Sequence, residues 1–269
     1  MVMIKTITDK VKTERIKNMI NIIMHGCNGR MGQVISDIAK QEEDVQIVAG
    51  IDIVDNKQNA YPVFTNIDDC DIDADVVIDF SSAKAVDKLY EYCEKRNLPV
   101  VLCSTGLSDE QIYAARDLSS KVAVLRSGNM SLGINTVMKA LKTISKTLAQ
   151  AGYDIEIVEK HHNQKLDAPS GTALMLADTI NEQLDGEYSY KYDRSNLREK
   201  RPKKEIGISA VRGGTIVGDH DIIFAGADEV IEIKHRAYSR NIFAKGAIEA
   251  AKFLKDKPAG LYDMSDVLG

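Results

Sequence analysis

Apolar and polar positions along the chain follow two rhythms, and the change comes near residue 131. Ile20, Ile22, Ile23 and Met24 make a short apolar run, a turn follows, and Val34, Ile35, Ile38 and Ala39 then recur at helical spacing. The runs "VQIVAGID" and "ADVVIDFSS" continue the pattern, the second leading into a helix-like "AKAVDKLYEYCEKRN" and a strand-like "PVVLCSTGLS". Strands alternating with helices predict an α/β domain on a parallel, doubly wound sheet. Beyond residue 131, "LGINTVMKALKTISKTLAQAG" predicts a long amphipathic helix. "YDIEIVEKHH", "EIGISAVRGGTIVGDHDIIFAG" and "DEVIEIKHRAYS" predict strands of a mixed or antiparallel sheet, one of them entered through a Gly213-Gly214 turn. "RNIFAKGAIEAAKFLKDKPAG" reads as a closing helix stopped by Pro258 and Gly260.

Two domains are therefore expected: residues 19–131 with 241–269, and a second α+β domain over 132–240 built on a mixed sheet. Residues 1–18 read as an N-terminal extension without chemistry, Met19 being a potential initiator. The segment "GEYSYKYDRSNLREKRPKKE" is polar and strongly basic toward its end, which fits either a solvated loop or a mobile lid over an anionic site.

Composition narrows the function classes. With 35 basic and 40 acidic side chains the net charge is -5, which argues against a general nucleic-acid binder without excluding a local basic site. No apolar run approaches the roughly 20 residues of a membrane span, and the first residues are too charged for a secretory signal. Cys27, Cys70, Cys93 and Cys103 show no CxxC spacing, so reduced thiols in a cytoplasmic protein, with no metal, are the simplest reading.

Candidate chemistry gathers in two places. Gly26, Gly29 and Gly32 stand between the first strand and its helix, at the GxxGxxG spacing of a Rossmann dinucleotide fingerprint. Glycine turns also close ordinary βα units. Asp52 ends the second strand, where such folds place an acid that binds an adenosine ribose; the plainer reading is a loop carboxylate. The sheet's other strand ends carry "DFSS", "CSTG" and "SGNMS", rich in the small and hydrogen-bonding residues a cofactor crevice needs.

The second place is "EKHHNQKLDAPSGTA". A strand delivers His161 and His162 to its end, and Ser170, Gly171 and Thr172 open a helix whose unpaired N–H groups suit a carboxylate. Lys165 adds a compact positive charge, and a histidine beside an anion can exchange protons near neutral pH. Taken singly, either histidine could be a structural hydrogen-bonding residue.

"HGCNGRMG", "STGLS", "GNMSLGIN", "EKHHNQKLDAPSGTA" and "VRGGTIVGDHDIIFAG", in this order, resemble the 4-hydroxy-tetrahydrodipicolinate reductase family of the diaminopimelate route to lysine. The resemblance runs from about residue 19 to the end, and its most specific element is the HH…K…DAPSGTA segment. It implies NADH or NADPH on the N-terminal Rossmann domain, a cyclic dicarboxylate on the C-terminal one, and a homotetramer formed through the C-terminal sheet. Carried onto this chain, it puts the cofactor loop on Gly26, Cys27, Asn28, Gly29, Arg30 and Met31 and the ribose acid on Asp52. It puts the nicotinamide side on Cys103, Ser104 and Thr105 and on Ser127, Gly128, Asn129 and Met130. His161 takes the place of the catalytic acid, Lys165 that of a second proton donor, His162 that of a substrate contact, and Gly171 with Thr172, beside Ser170, that of the carboxylate clamp.

Three positions depart from the family's pattern. Cys103 stands where glycine is usual, "SGNM" replaces "APNF", and Ile53 follows Asp52 where some members carry an arginine for a 2′-phosphate. A preference for NADH is therefore expected, although Lys57 could reach in. Two other classes remain at this level: a different Rossmann oxidoreductase, such as a homoserine or sugar dehydrogenase, and a non-catalytic dinucleotide sensor.

Overall fold

The structure, a computed structural model, describes residues 19–269, so the extension expected over 1–18 lies outside the described residues. The first apolar run is strand β1 (Ile20–His25), buried along almost its whole length as a central parallel strand must be. Helix α1 (Arg30–Ala39) follows the glycine turn and directs Ile35, Ile38 and Ala39 inward. Then come β2 (Val45–Ile51), a two-residue strand β3 (Val63–Phe64), β4 (Val76–Asp79) and helix α2 (Val86–Arg96). Asn97, at φ 51°, ends α2 and lets the Leu98 N–H return to the Cys93 carbonyl. β5 (Val100–Leu102), α3 (Asp109–Leu118) and β6 (Ala123–Arg126) complete the alternation. α3 starts at a capping box in which Ser108 and Gln111 satisfy each other's backbone N–H.

The sheet order is β12-β6-β5-β4-β1-β2-β3, every pair parallel, with β12 (Gly260–Tyr262) supplied from the end of the chain. β2 lies on one side of β1 and β4 on the other. The connections therefore leave β1 in opposite directions, and a crevice opens at the strands' carboxyl ends.

The rest of the chain builds a second sheet. α4 (Leu132–Gln150), capped by Ser131, leads to β7 (Asp154–His161), α5 (Gly171–Glu182), β8 (Ser189–Tyr192), β9 (Glu205–Arg212), β10 (Gly218–Ala225) and β11 (Val230–Ala237). The order is β11-β10-β7-β9-β8; β7 runs parallel to β9 and antiparallel to β10. This is the mixed sheet expected, with two differences. β9 and β10 flank β7 rather than each other, so the Gly213-Gly214 turn starts a crossing over β7 and not a hairpin. The polar segment after α5 contains β8, and its cations meet carboxylates of this same part of the chain: Arg194 pairs with Glu205, Lys204 with Glu187, and Arg201 reaches Asp154 and Glu156 at 2.9 and 2.8 Å.

α6 (Asn241–Leu254) returns the chain toward the first sheet. Two compact units result: one runs to Met130 and resumes over Phe243–Val267, the other is Ser131–Ile242. In the second unit Leu141 of α4 and Leu176 and Ile180 of α5 cover one face of the sheet, against Ile155, Ile157, Ile208 and Phe224.

Candidate functional site

The first unit's crevice is a cavity of about 630 Å³ lined by Gly26, Asn28, Gly29, Asp52, Phe80 and Ser81, with Lys57, Lys84 and Lys88 on the same wall. Gly26 has φ +82°, and a Cβ there would lie 2.6 Å from the Phe80 carbonyl oxygen, so only glycine lets the loop pass so close to the end of β4. Asp52 ties the end of β2 to that loop: its Oδ2 accepts the Asn28 N–H and its Oδ1 the Ile53 N–H, both at 2.8 Å. His25 also lines the cavity, its Nδ1 2.8 Å from the buried Asp79 Oδ1, which accepts the Ser81 hydroxyl at 2.6 Å. Burial pushes the Asp79 carboxyl up, but His25 and the serine donors outweigh it and hold the group below the usual carboxylate range.

Four of the expected cofactor residues, Gly26, Asn28, Gly29 and Asp52, thus meet in one cavity. Cys27 contributes backbone alone: its side chain lies in the core, and burial together with Asp52 pushes its thiol up to about 12. Arg30 is exposed and Met31 half-buried on the first turn of α1. Cys103, Ser104 and Thr105 follow β5, with the Ser104 Oγ 3.4 Å from that of Ser81. Ser127, Gly128, Asn129 and Met130 follow β6, where Ser127 donates to the Asn129 carbonyl at 3.2 Å. These last two groups do not line the cavity. A glycine cradle, a carboxylate at the end of β2 and three ammonium groups suit a nicotinamide dinucleotide, with its diphosphate at the loop. Sequence reasoning missed His25, Lys84 and Lys88; only the "DFSS" strand end hinted at this wall.

The second constellation lies at the end of β7. Burial alternates along that strand, so Ile155, Ile157, Glu159 and His161 share the inward face. Glu159 is wholly buried, and every group around it is a donor. Its Oε1 accepts the Ser170 N–H at 2.9 Å and Arg212 Nη2 at 2.7 Å; its Oε2 accepts Arg212 Nη1 at 2.8 Å and lies 2.6 Å from His161 Nδ1. Burial pushes the Glu159 carboxyl up, yet Arg212, His161 and the Ser170 N–H together hold it below the usual range. The His161 ring meets that of His220 edge to face at 5.3 Å, and His220 Nε2 lies 3.3 Å from the Ser170 hydroxyl. Burial and the neighbouring His161 push His220 down to about 4, so it is neutral at neutral pH.

Ser170 caps α5 by accepting the Ala173 N–H at 3.2 Å. Gly171 is exposed, and a Cβ there would meet nothing within 4 Å, so the helix mouth is open for a ligand. Thr172, next to it, and His162, which follows the end of β7, are half-buried, and Lys165 Nζ pairs with Asp167 Oδ1 at 2.8 Å. The structure therefore brings His161 and Ser170 together through Glu159. Glu159, Arg212 and His220 were not evident from the sequence motif. Among the described residues no group of His, Cys, Asp or Glu could hold a metal ion, and no helix is long and apolar enough to cross a membrane.

The family pattern "Dihydrodipicolinate reductase, N-terminus" matches residues 20–130, and "Dihydrodipicolinate reductase, C-terminus" matches residues 133–268. The chain is 49% identical over 250 residues to the 4-hydroxy-tetrahydrodipicolinate reductase of Clostridium tetani, covering 93% of this chain and 97% of that one. With the enzyme of the same name from Clostridium novyi identity is 50%, over 93% and 98% of the two chains. A dipicolinate-bound dihydrodipicolinate reductase from Paenisporosarcina sp. TG-14 superposes with a TM-score of 0.77 at 26% identity, over 91% of this chain and 97% of that one. A scyllo-inositol dehydrogenase from Lactobacillus casei with bound NAD(H), at 14% identity and a TM-score of 0.53 over 93% of each chain, shares the fold alone.

Proposed function

The chain belongs to the dihydrodipicolinate reductase family and is a nicotinamide-dependent oxidoreductase that reduces 4-hydroxy-tetrahydrodipicolinate in lysine and diaminopimelate biosynthesis, and from that premise we propose how its own residues divide the work. The unit ending at Met130 binds the dinucleotide, with the backbone of Gly26 to Met31 at the diphosphate, Asp52 at the adenosine ribose, and Cys103 to Thr105 with Ser127 to Met130 at the nicotinamide end. When bound, that ring supplies the hydride.

The unit Ser131–Ile242 holds a small cyclic dicarboxylate, for which the dipicolinate of the Paenisporosarcina structure is a model compound. Ser170, Gly171 and Thr172 at the α5 mouth and His162 hold its carboxylates. Overall, the substrate's hydroxyl leaves together with a ring hydrogen as water, one hydride adds to the ring and one proton adds to the neighbouring carbon. His161 supplies that proton from Nε2 and Lys165 is the second donor. The observation that carries this reading is a buried imidazole, 2.6 Å from an ionised carboxylate, at the end of the strand beside an open helix mouth. The homoserine- or sugar-dehydrogenase and sensor readings offer no reason for that arrangement, and the match over both halves of the chain sets them aside.

NADH is the preferred reductant in this reading, because the Asp52 charge opposes a 2′-phosphate and exposed Ile53 offers it nothing, whereas the lysines on the cavity wall keep NADPH usable. Assembly as a homotetramer on the uncovered face of the second sheet, and a cytoplasmic setting suited to four free cysteines, complete it. The test is oxidation of NADH, followed by its absorbance, on adding the fresh condensation product of pyruvate and aspartate semialdehyde. Turnover is expected to fall by about 10² to 10⁴-fold in His161→Ala and in Lys165→Ala while NADH still binds. Unchanged turnover in both variants overturns the assignment of roles.

A further inference from the structure

Glu159 was given no role of its own above, yet both of its oxygens are engaged by donors at the end of β7. A wholly buried carboxylate costs several kcal/mol of lost hydration unless its oxygens are matched. Here four donors meet two oxygens: the His161 ring, both terminal nitrogens of Arg212 and the Ser170 backbone N–H, between 2.6 and 2.9 Å. The same Arg212 Nη2 donates to the Asp167 carbonyl at 2.7 Å, so the carboxylate is joined to the loop that carries Lys165 as well as to the α5 mouth.

We propose that Glu159 is the positioning residue of the site: it accepts the His161 Nδ1–H, which fixes the ring plane and the tautomer and leaves Nε2 as the atom that carries and gives the proton. This rests on the reading of His161 as the acid. Gly218 completes the arrangement on the other side of the ring, since a Cβ there would sit 3.0 Å from Nε2. The groups facing His161 from the elements around it are Glu159 on its own strand, Arg212 on β9, His220 on β10 and Ser170 at the start of α5. Of these, Glu159 is the acceptor within hydrogen-bond distance of Nδ1. His220, held neutral by burial, adds no competing charge.

The geometry makes a specific demand on the side chain at 159. An amide is half donor, so Gln would set an NH₂ against donors on one of its two sides; Asp keeps the charge on a shorter stem. In the full-length protein, Glu159→Gln is expected to lower kcat by about 10²-fold while substrate KM and NADH affinity stay within about twofold, and Glu159→Asp to recover about a tenth of wild-type kcat. Nitrogen NMR of the wild-type histidine rings, assigned by the signal lost in His161→Gln, supplies a readout that needs no variant at position 159 to fold. The neutral His161 ring should carry its proton on Nδ1. A neutral His161 ring protonated on Nε2 in place of Nδ1, or a Glu159→Gln variant with wild-type kcat, overturns the proposal. So does a loss of kcat shared equally by Gln and Asp and matched by a rise in KM and a fall in Tm, which is the mark of a merely structural carboxylate. The two readings separate cleanly: collapse of His161→Gln with an unaffected Glu159→Gln removes the positioning role alone, whereas full turnover in His161→Gln removes the acid and the positioning role with it.

Discussion

Asp52 carries two loads with one carboxylate. Its oxygens already accept the Asn28 and Ile53 N–H groups, so it shapes the glycine loop, and in the reading proposed above its remaining lone pairs serve the ribose diol. A 2′-phosphate brought to the same place meets a like charge, partly offset by Lys57, Lys84 and Lys88. Wild-type kcat/KM should therefore be higher with NADH, and Asp52→Asn should shift the NADH to NADPH ratio toward NADPH by about tenfold, or about 1.4 kcal/mol; equal or better kcat/KM with NADPH in the wild type contradicts this. Asp52, Ser170 and His161 were legible in the sequence because residue type and position, a strand end or a helix mouth, point the same way. Arg212 and His220 were not, since each matters through a partner on another strand, and spacing along one chain does not report that. Glu159 had left a trace: in the alternation of β7 it occupies an inward slot, where a charge must be matched.

At the scale of elements, the tightest fit in the first unit is between α6 and the segment after β6. A Cβ at Gly246 would lie 1.6 Å from the Met130 carbonyl oxygen, a backbone atom that cannot swing aside. Gly246→Ala is expected to cost about 3 kcal/mol or more, seen as a lower midpoint in urea unfolding, because helix and strand end must separate. An unchanged midpoint would mean the helix slides freely. The parallel strands could be read from their apolar runs because burial on both faces leaves no other pattern. The neighbours of β7 could not. Strand order in a mixed sheet is set by where the connections cross, and the two glycines after β9 fit a hairpin turn and a crossover equally well. β8 was hidden in a polar run: an edge strand with exposed Ser189 and Tyr192 has little apolar signature to show.

For the whole molecule, the buried ionisable groups give stability a pH dependence with two windows. His220 titrates at about 4 when folded against an ordinary 6.5, so between those values the unfolded chain binds a proton that the folded chain does not. Stability should therefore fall as pH drops from about 6.5 to about 4, by on the order of 3 kcal/mol, and His220→Gln should flatten that slope in denaturant titrations. The depressed carboxyls of Asp79 and Glu159 act in the same sense in a more acidic window: their contribution is present above the ordinary carboxylate range and is lost as pH falls below it. A slope unchanged in the His220 variant would assign the first window to other groups. Assembly belongs to this scale too. The face of the second sheet turned from α4 and α5 carries Val158, Ile223 and a half-exposed Val211, and light scattering should give four times the mass of one chain; a monomer would leave that face without its proposed partner.

One consequence of β7 reaches beyond its contacts. The strand's inward row passes from Ile155 and Ile157 in the core to Glu159 and His161 without interruption, so a single count along the backbone addresses both packing and chemistry. Substitutions on its outward row leave that count intact. The gain or loss of one residue anywhere between Asp154 and His161 would not: it would turn either the aliphatic pair or the carboxylate and imidazole to the wrong side, and no neighbouring side chain could restore them. Over evolutionary time this stretch should drift in spelling and hold its length, whereas the polar segment between β8 and β9 is free to change both.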